Sequence, residues 1–255
     1  MNQCSGHLAQ SSKSIVSHAA VIPGGHIVGR PWHKGERVVL YALPDGSAAV
    51  YLGIGGGTML DVGSERQFRR EIFPSLNKNG ARLDSLILSH GDSQHCGGVE
   101  QLLELAQLKQ CVIPERSAMS RSYRDALRQM EAAGVKVKET QIGTRLPLAD
   151  DSWIEVIYAA ESSVGLADDR CLVLRLHWRG TRILFLADTG YKFEQWVLEN
   201  GSDVSADVLV LGRHQRDEQV GRDFLQKVAA KIVVSSDSRG SVGDAEAYVL
   251  LQQGA

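Results

Sequence analysis

The run Leu83 to Leu88 (LDSLIL) followed at once by Ser89-His90-Gly91-Asp92-Ser93-Gln94-His95 constrains this chain more than any other feature. Its first part reads as a short buried strand, bounded by polar residues. Its second part packs two imidazoles and one carboxylate into the six residues from His90 to His95. A loop leaving a buried strand is where polar groups can converge while the sheet fixes their positions. Imidazole nitrogen and carboxylate oxygen suit zinc or a similar divalent ion. The same residues also describe a polar strand-to-helix turn in which Asp92 caps the helix that follows. Both readings are open at this point.

Three further strand ends carry residues of the same kind. Asp61 closes TMLDVG, Asp188 closes ILFLADTG, and His214 follows VLVLGRH. Any one of them alone is better read as a turn aspartate or a core histidine. Together with the loop they make four such events in one chain, which points to a shared site.

The remaining pattern supplies the frame. Strands are expected over Arg37–Leu43, Ala48–Leu52, Thr58–Leu60, Leu83–Leu88 and Cys111–Ile113, then over Val135–Glu139 and Trp153–Tyr158. A hairpin follows, Cys171–Trp178 and Arg182–Ala187 turning at Arg179-Gly180, with later strands at Val208–Leu211 and Ile232–Ser235. Helices are expected over Gln67–Asn79, Gly98–Lys109, Arg121–Ala133, Phe193–Glu199 and Arg222–Val228. Strand-rich halves interleaved with helices suggest two packed sheets with helices outside. Periodicity alone stops at α/β or α+β. The 255 residues suffice for one large domain or two small ones. Residues 1–20, rich in Ser, Gln and Asn, read as a tail or fragment boundary, and 21–255 as one domain.

Composition narrows the function classes. The net charge of -2 advertises no nucleic-acid partner through bulk basicity, though a local basic groove stays open. Cys4, Cys96, Cys111 and Cys171 form no CxxC pair, which argues against a disulfide framework and for a reducing, cytoplasmic setting. No apolar run approaches the ~20 residues of a membrane span. Gly53 to Gly57 leads into a strand and lacks a following Gly-Lys-Ser/Thr, so it is read as a hairpin link rather than a phosphate loop. Arg116, Arg121, Arg124 and Arg128 mark a basic helix face, read as solvated surface or as a contact for a nucleic-acid backbone. Asp168-Asp169-Arg170 reads as a brace for the site or a plain turn, His177 as structural, and Cys96 as a small buried thiol.

The order Leu60-Asp61-Val62-Gly63, Leu88-Ser89-His90-Gly91-Asp92-Ser93-Gln94-His95-Cys96-Gly97-Gly98, Leu186-Ala187-Asp188, Gly212-Arg213-His214 resembles the metallo-β-lactamase superfamily. More narrowly, it is similar to the soluble domain of ComEC-type competence proteins. The likeness runs from about Val38 to Ser236. It implies a four-layer αββα sandwich with the site at one edge of the two sheets. It implies His90, Asp92 and His95 as metal ligands, Asp188 as a bridging carboxylate and His214 as a further ligand. Asp61 would orient the loop by hydrogen bonds. The implied chemistry is hydrolysis of an ester, amide or phosphodiester, here DNA in competence-type uptake, in a chain associated with a membrane-bound protein.

Two departures from that pattern qualify the implication. Gln94 stands where the family has a second loop aspartate that binds the second ion and orients water. A neutral amide oxygen is a poor ligand for a hard cation, and Gln cannot accept a proton. Arg213-His214-Gln215 replaces His-His-Gly, and a guanidinium pairs with phosphate instead of ligating metal. The expectation is therefore one zinc ion rather than two, or manganese, with chemistry at Asp92, Gln94 and Arg213. The alternative is a degenerate module that keeps the fold and binds without turnover.

Overall fold

Along nearly every strand, successive side chains go to different apolar clusters, as the two-residue period of a β-strand requires. In the computed structural model, which describes residues 19–22, 26–29, 36–41, 43, 46–78, 80–115, 120–148, 151–160, 168–212 and 220–235, these strands form two sheets. The first runs β1 (Ala19–Ile22), β2 (His26–Gly29), β3 (Arg37–Tyr41), β4 (Ala49–Gly53), β5 (Gly56–Leu60), β6 (Leu83–Ile87), β7 (Gln110–Ile113) and β8 (Lys136–Glu139), in that spatial order. It is antiparallel from β1 to β5 and parallel from β5 to β8. The second sheet holds β9 (Arg145–Pro147), β10 (Trp153–Tyr158), β11 (Val173–Trp178), β12 (Thr181–Phe185), β13 (Val208–Leu211) and β14 (Ile232–Ser235). It too begins as an antiparallel meander and ends parallel, at β12 to β14.

The parallel ends are reached through helices, because a parallel strand needs a long crossover. On the first sheet these are α1 (Glu65–Gln67), a π-helical turn (Phe68–Ile72), α2 (Phe73–Lys78), α3 (Ser93–Cys96), α4 (Val99–Leu105) and α5 (Arg121–Ala132). On the second they are α6 (Tyr191–Asn200) and α7 (Arg222–Val228).

Three apolar layers result. Val50, Met59, Leu86, Cys111 and Ile113 face the helices of the first sheet, with Phe68, Ile72, Leu102 and Leu127. Their strand neighbours Ala49, Tyr51, Leu60, Ile87 and Val112 face the second sheet, meeting Ile154, Leu174, Leu176, Phe185 and Val210. Val173, Leu184, Leu209 and Leu211 point outward to Phe193, Val197, Phe224 and Val228. This is the four-layer αββα sandwich, and the middle layer fixes one sheet against the other.

The differences from the sequence reading have local causes. The helix expected from Gln67 starts at Glu65, because Ser64 and Gln67 form a reciprocal capping box. It widens into a π turn at Phe68–Ile72, which keeps Phe68, Ile72 and Leu76, spaced four apart, all buried on one side. The glycine link is shorter than read, since Gly56 and Gly57 already belong to β5 and pair with Gly53 and Leu52. β9 carries too few residues for periodicity. It is held by pairing with β10 and by the Arg145 guanidinium over the Trp153 ring. Within the stretch read as a tail, Ala19 and Ala20 pair with Gly29 and Val28.

Candidate metal centre

Every candidate residue the structure describes lies just beyond the C-terminal end of a strand or at the start of the next hairpin. Asp61 follows β5 with φ 50, a left-handed conformation that Asp adopts more readily than most residues. That conformation turns its carboxylate toward the loop after β6. The Ser89 amide donates to its Oδ1 at 2.7 Å, the Ser89 hydroxyl to its Oδ2 at 2.7 Å, and His95 Nδ1 to Oδ2 at 2.8 Å. One buried carboxylate therefore fixes both ends of the histidine loop.

The loop is fixed from behind as well. A Cβ at Gly98 would lie 2.7 Å from the Val62 carbonyl oxygen and 2.8 Å from Phe68 Cβ, so only glycine allows that approach. The Val62 amide donates to the His95 carbonyl at 2.8 Å.

Hydrogen bonding sets the state of each imidazole. The single Ser89 hydroxyl proton goes to Asp61, so the Ser89 oxygen accepts from His90 Nδ1 at 2.9 Å. His90 Nε2 is then left with its lone pair. It is buried, has no hydrogen-bond partner, and stands 4.0 Å from Asp188 Oδ2. Burial, reinforced by the neighbouring His95, pushes the His90 pKa down to about 4. His95 is in the opposite situation, with Nδ1 on Asp61 and Nε2 3.0 Å from Asp188 Oδ2. Burial alone would lower its pKa, but Asp188 and then Asp61 override it and hold the pKa well above 6.5. The two rings lie 4.1 Å apart.

Asp188 comes from the second sheet, after β12, where Ala187 has φ 48. The end of β13 passes against it: a Cβ at Gly212 would fall 1.9 Å from the Ala187 carbonyl oxygen and 2.7 Å from Asp188 Oδ1. Arg213 and His214, which follow, lie outside the described residues.

Asp92 does cap α3, as the plainer reading expected: the Gln94 amide and the Ser93 hydroxyl donate to its Oδ1. Capping and ligation are compatible, because both contacts use one oxygen. Gln94 is half-buried on α3.

The sequence reading took Asp168 as part of a brace or a plain turn and left it out of the candidate ligands. That residue sits fully buried in a single 3₁₀ turn, Asp168–Arg170. The Leu172 amide donates to the Ser89 carbonyl at 2.8 Å, which brings the turn to the loop, and Lys192 of α6 pairs with Asp169 at 2.7 Å, which ties the turn to that helix. Two trios result whose ligand atoms lie within 4.8 Å of one another: His90, His95 and Asp188, and His90, Asp92 and Asp168. Their donor set, imidazole plus carboxylate around an unsatisfied buried nitrogen, fits a divalent ion. Asp168 could have been suspected only from the Asp-Asp pair before a hairpin strand.

Other features are structural. His177 Nε2 bonds Glu155 at 3.0 Å and its ring stacks on Trp153. Cys96 is buried in the core beside Val99 and Phe68, and burial raises its pKa to about 12. On α5, Arg121 and Arg128 pair with Asp125, while Arg116 lies outside the described residues.

The two packed sheets with helices outside are the metallo-β-lactamase fold. Residues 43–166 match the family model described as the Metallo-beta-lactamase superfamily, a span that includes the loop and ends before Asp168. Among curated proteins the chain is similar to ComE operon protein 3 of Bacillus subtilis, 27% identical over 171 residues, and to Recombination protein 2 of Haemophilus influenzae, 26% identical over 201 residues. These alignments cover 67% and 76% of this chain but only 22% and 23% of the relatives. Among solved structures it is similar to the metallo-β-lactamase fold protein YhfI of Bacillus subtilis, with TM-score 0.54, 14% identity, and coverage of 82% and 85%. It is also similar to the diiron β-hydroxylase CmlA of Streptomyces venezuelae, with TM-score 0.52, 12% identity, and coverage of 82% and 46%. Among the described residues no helix is long and apolar enough to cross a membrane.

Proposed function

We propose that this chain is a metal-dependent hydrolase acting on a phosphodiester, with DNA as the substrate class. The observation that carries the reading is the buried His90 Nε2, deprotonated and unpartnered among carboxylates from both sheets. His90, Asp92, His95, Asp168 and Asp188 are the described residues that would hold the ion, zinc or manganese by donor type. When bound, such an ion supplies Lewis acidity, polarising water and an ester oxygen. Asp61 holds the loop and, through Ser89, keeps the His90 proton on Nδ1 so that Nε2 faces the site. In this reading Arg213 holds the substrate anion, as a guanidinium matches a phosphate, and His214 adds a ligand. DNA is favoured by the second relative, named for recombination.

The test is metal content of the purified protein, then nuclease and phosphodiesterase assays with Zn²⁺ and Mn²⁺. One ion per chain and an activity abolished by His90→Ala are expected; a metal-free, inactive protein at saturating Zn²⁺ refutes the proposal. Gln94 favours a second reading, a module that uses the cleft to bind DNA or a partner without turnover. Under it, Gln94→Asp creates an activity that the natural chain lacks.

A further inference from the structure

We infer that the cleft at the end of the sandwich away from the metal centre binds a nucleoside monophosphate, with the phosphate on Lys136 and Lys138 of β8 and the base inside, against Ser85 and Gln110. The cleft has a volume of about 770 Å³ and lies where β6, β7 and β8 begin. Asp61 and the histidine loop lie where β5 and β6 end, so the two sites stand at opposite ends of the same strands.

The two-residue period of a strand sends Thr58, Ser85 and Gln110 to the same side as Leu60, Ile87 and Val112. The second three pack against the second sheet. The first three are polar and line the cleft. Register joins them into one row: Thr58 pairs with Ser85, Ser85 with Gln110, and Gln110 with Lys136. Exposure rises along that row, from Thr58 at 5% through half-buried Ser85 and Gln110 to exposed Lys136. The result is a charged mouth in front of a neutral, hydrogen-bonding interior.

The mouth selects an anion. Lys109, Lys136 and Lys138 line the cleft with one acid, Asp84, which is held by Lys109 at 3.1 Å. Lys136 has no ion-pair partner among the described residues, and Lys138 donates to the neutral Gln110 Oε1 at 3.3 Å. Lysines on an edge strand discourage pairing with another chain, but that purpose calls for no polar row behind them. The interior selects the body of the ligand. The Gln110 amide and the Ser85 hydroxyl, 3.3 Å apart, offer both donors and acceptors. Pro147 and Leu148 add an apolar wall, which suits a flat ring. From Ser85 to Lys136 is two strand spacings, about 10 Å. A nucleoside with its 5′-phosphate has that reach, and inorganic phosphate alone leaves most of it unfilled.

The experiment is calorimetric titration of the full chain with adenosine and thymidine 5′-monophosphates, the two nucleosides and inorganic phosphate. At least one monophosphate is expected to bind, and more tightly than its nucleoside or phosphate. Lys136→Ala with Lys138→Ala should weaken it about tenfold, the loss of two exposed charge contacts. Arginine at both positions should preserve it, and His90→Ala should leave it unchanged. Both lysines are exposed, so these variants keep the wild-type core. Binding of neither monophosphate overturns the inference, as does an affinity that the lysine pair leaves unchanged. Loss in His90→Ala with the lysine variants unaffected puts the nucleotide at the metal centre and overturns it too. A 5′-phosphorylated tetranucleotide separates the sources: equal or tighter binding identifies the phosphorylated end of a strand, and binding of the monophosphate alone identifies a free nucleotide. None of these results bears on metal content, so this inference and the metal-dependent reading stand or fall separately.

Discussion

Replacing Asp61 by alanine removes the acceptor that serves the Ser89 amide, the Ser89 hydroxyl and His95 Nδ1, all at 2.7–2.8 Å and all buried. Hydrogen bonds to a charged acceptor contribute about 1.5–3 kcal/mol each, which would give up to ~9 kcal/mol if they simply added. They do not add, because alanine also relieves the desolvation of the carboxylate itself. Breaking a buried charged pair by deleting one partner costs about 3–5 kcal/mol, and that range is the expected loss here. Alanine in the φ 50 conformation adds strain on top. Against a domain stability of ~5–15 kcal/mol the variant still folds, but with much of its margin gone. Urea unfolding followed by circular dichroism is the assay: with a slope of ~2–3 kcal/mol/M, the midpoint drops by about 1–2 M at unchanged slope. Asp61→Asn, which tolerates the conformation and keeps one acceptor oxygen for the Ser89 amide, falls between wild type and Asp61→Ala. A loss below about 1 kcal/mol for alanine would falsify the claim that this carboxylate organises the loop, given the magnitudes above.

Two further perturbations probe the surroundings. Glu194 on α6 is buried and accepts the Gly221 amide with both oxygens, at 3.0 and 2.9 Å; burial raises its pKa to about 7, with Gly221 opposing. An acid with a raised folded pKa contributes stability that is present below pH ~4.5 and lost as pH rises through about 7. Wild-type stability should therefore fall between those limits by on the order of 2–3 kcal/mol relative to Glu194→Gln, read from urea midpoints across pH. Gly98→Ala forces a Cβ to 2.7 Å from the Val62 carbonyl, so the backbone must shift. The expected cost is about 1–3 kcal/mol, as for overpacking. Zn²⁺ affinity should also fall as the loop moves; unchanged calorimetric binding would show that the contact does not position the ligands.

The sequence was most legible where a segment carried its own signal. Trp153–Tyr158, Val208–Leu211, Ile232–Ser235 and Arg222–Val228 match the observed elements residue for residue, because a short run rich in apolar residues or helical apolar spacing marks each of them. The loop from Ser89 to His95 was legible for a different reason: its residue types are too dense to be a plain turn. Helix starts were less so, since the Ser64–Gln67 capping box lies before the apolar pattern begins. β9 was not legible at all, because an edge strand of three residues owes its conformation to its partner. Asp168 was hidden by the same kind of dependence. Nothing in Asp-Asp-Arg distinguishes a candidate ligand from a turn; the backbone bond from Leu172 to Ser89 brings the turn to the loop, and that bond exists only once the sheets have packed.

That dependence has a consequence for how the site is built. His90, Asp92, His95 and Asp61 all belong to the first sheet, while Asp168 and Asp188 belong to the second. No ion site of either composition can form within one sheet alone. The apolar layer of Leu60, Ile87 and Val112 against Leu174, Phe185 and Val210 packs the two sheets together and so sets the distance between the two groups of candidate ligands. A cavity opened in that layer, as by Phe185→Ala, would cost about 3–5 kcal/mol of stability. It would also let the two groups of ligands drift, so ion affinity and core packing should decline together. Substitutions in the outer layers, at Leu102 or Phe224, remove comparable apolar contact without touching the inter-sheet spacing. They should lower stability while leaving the affinity of the folded protein for Zn²⁺ nearly unchanged, and it is this contrast, rather than the motif itself, that makes the two-sheet sandwich the architecture of the site.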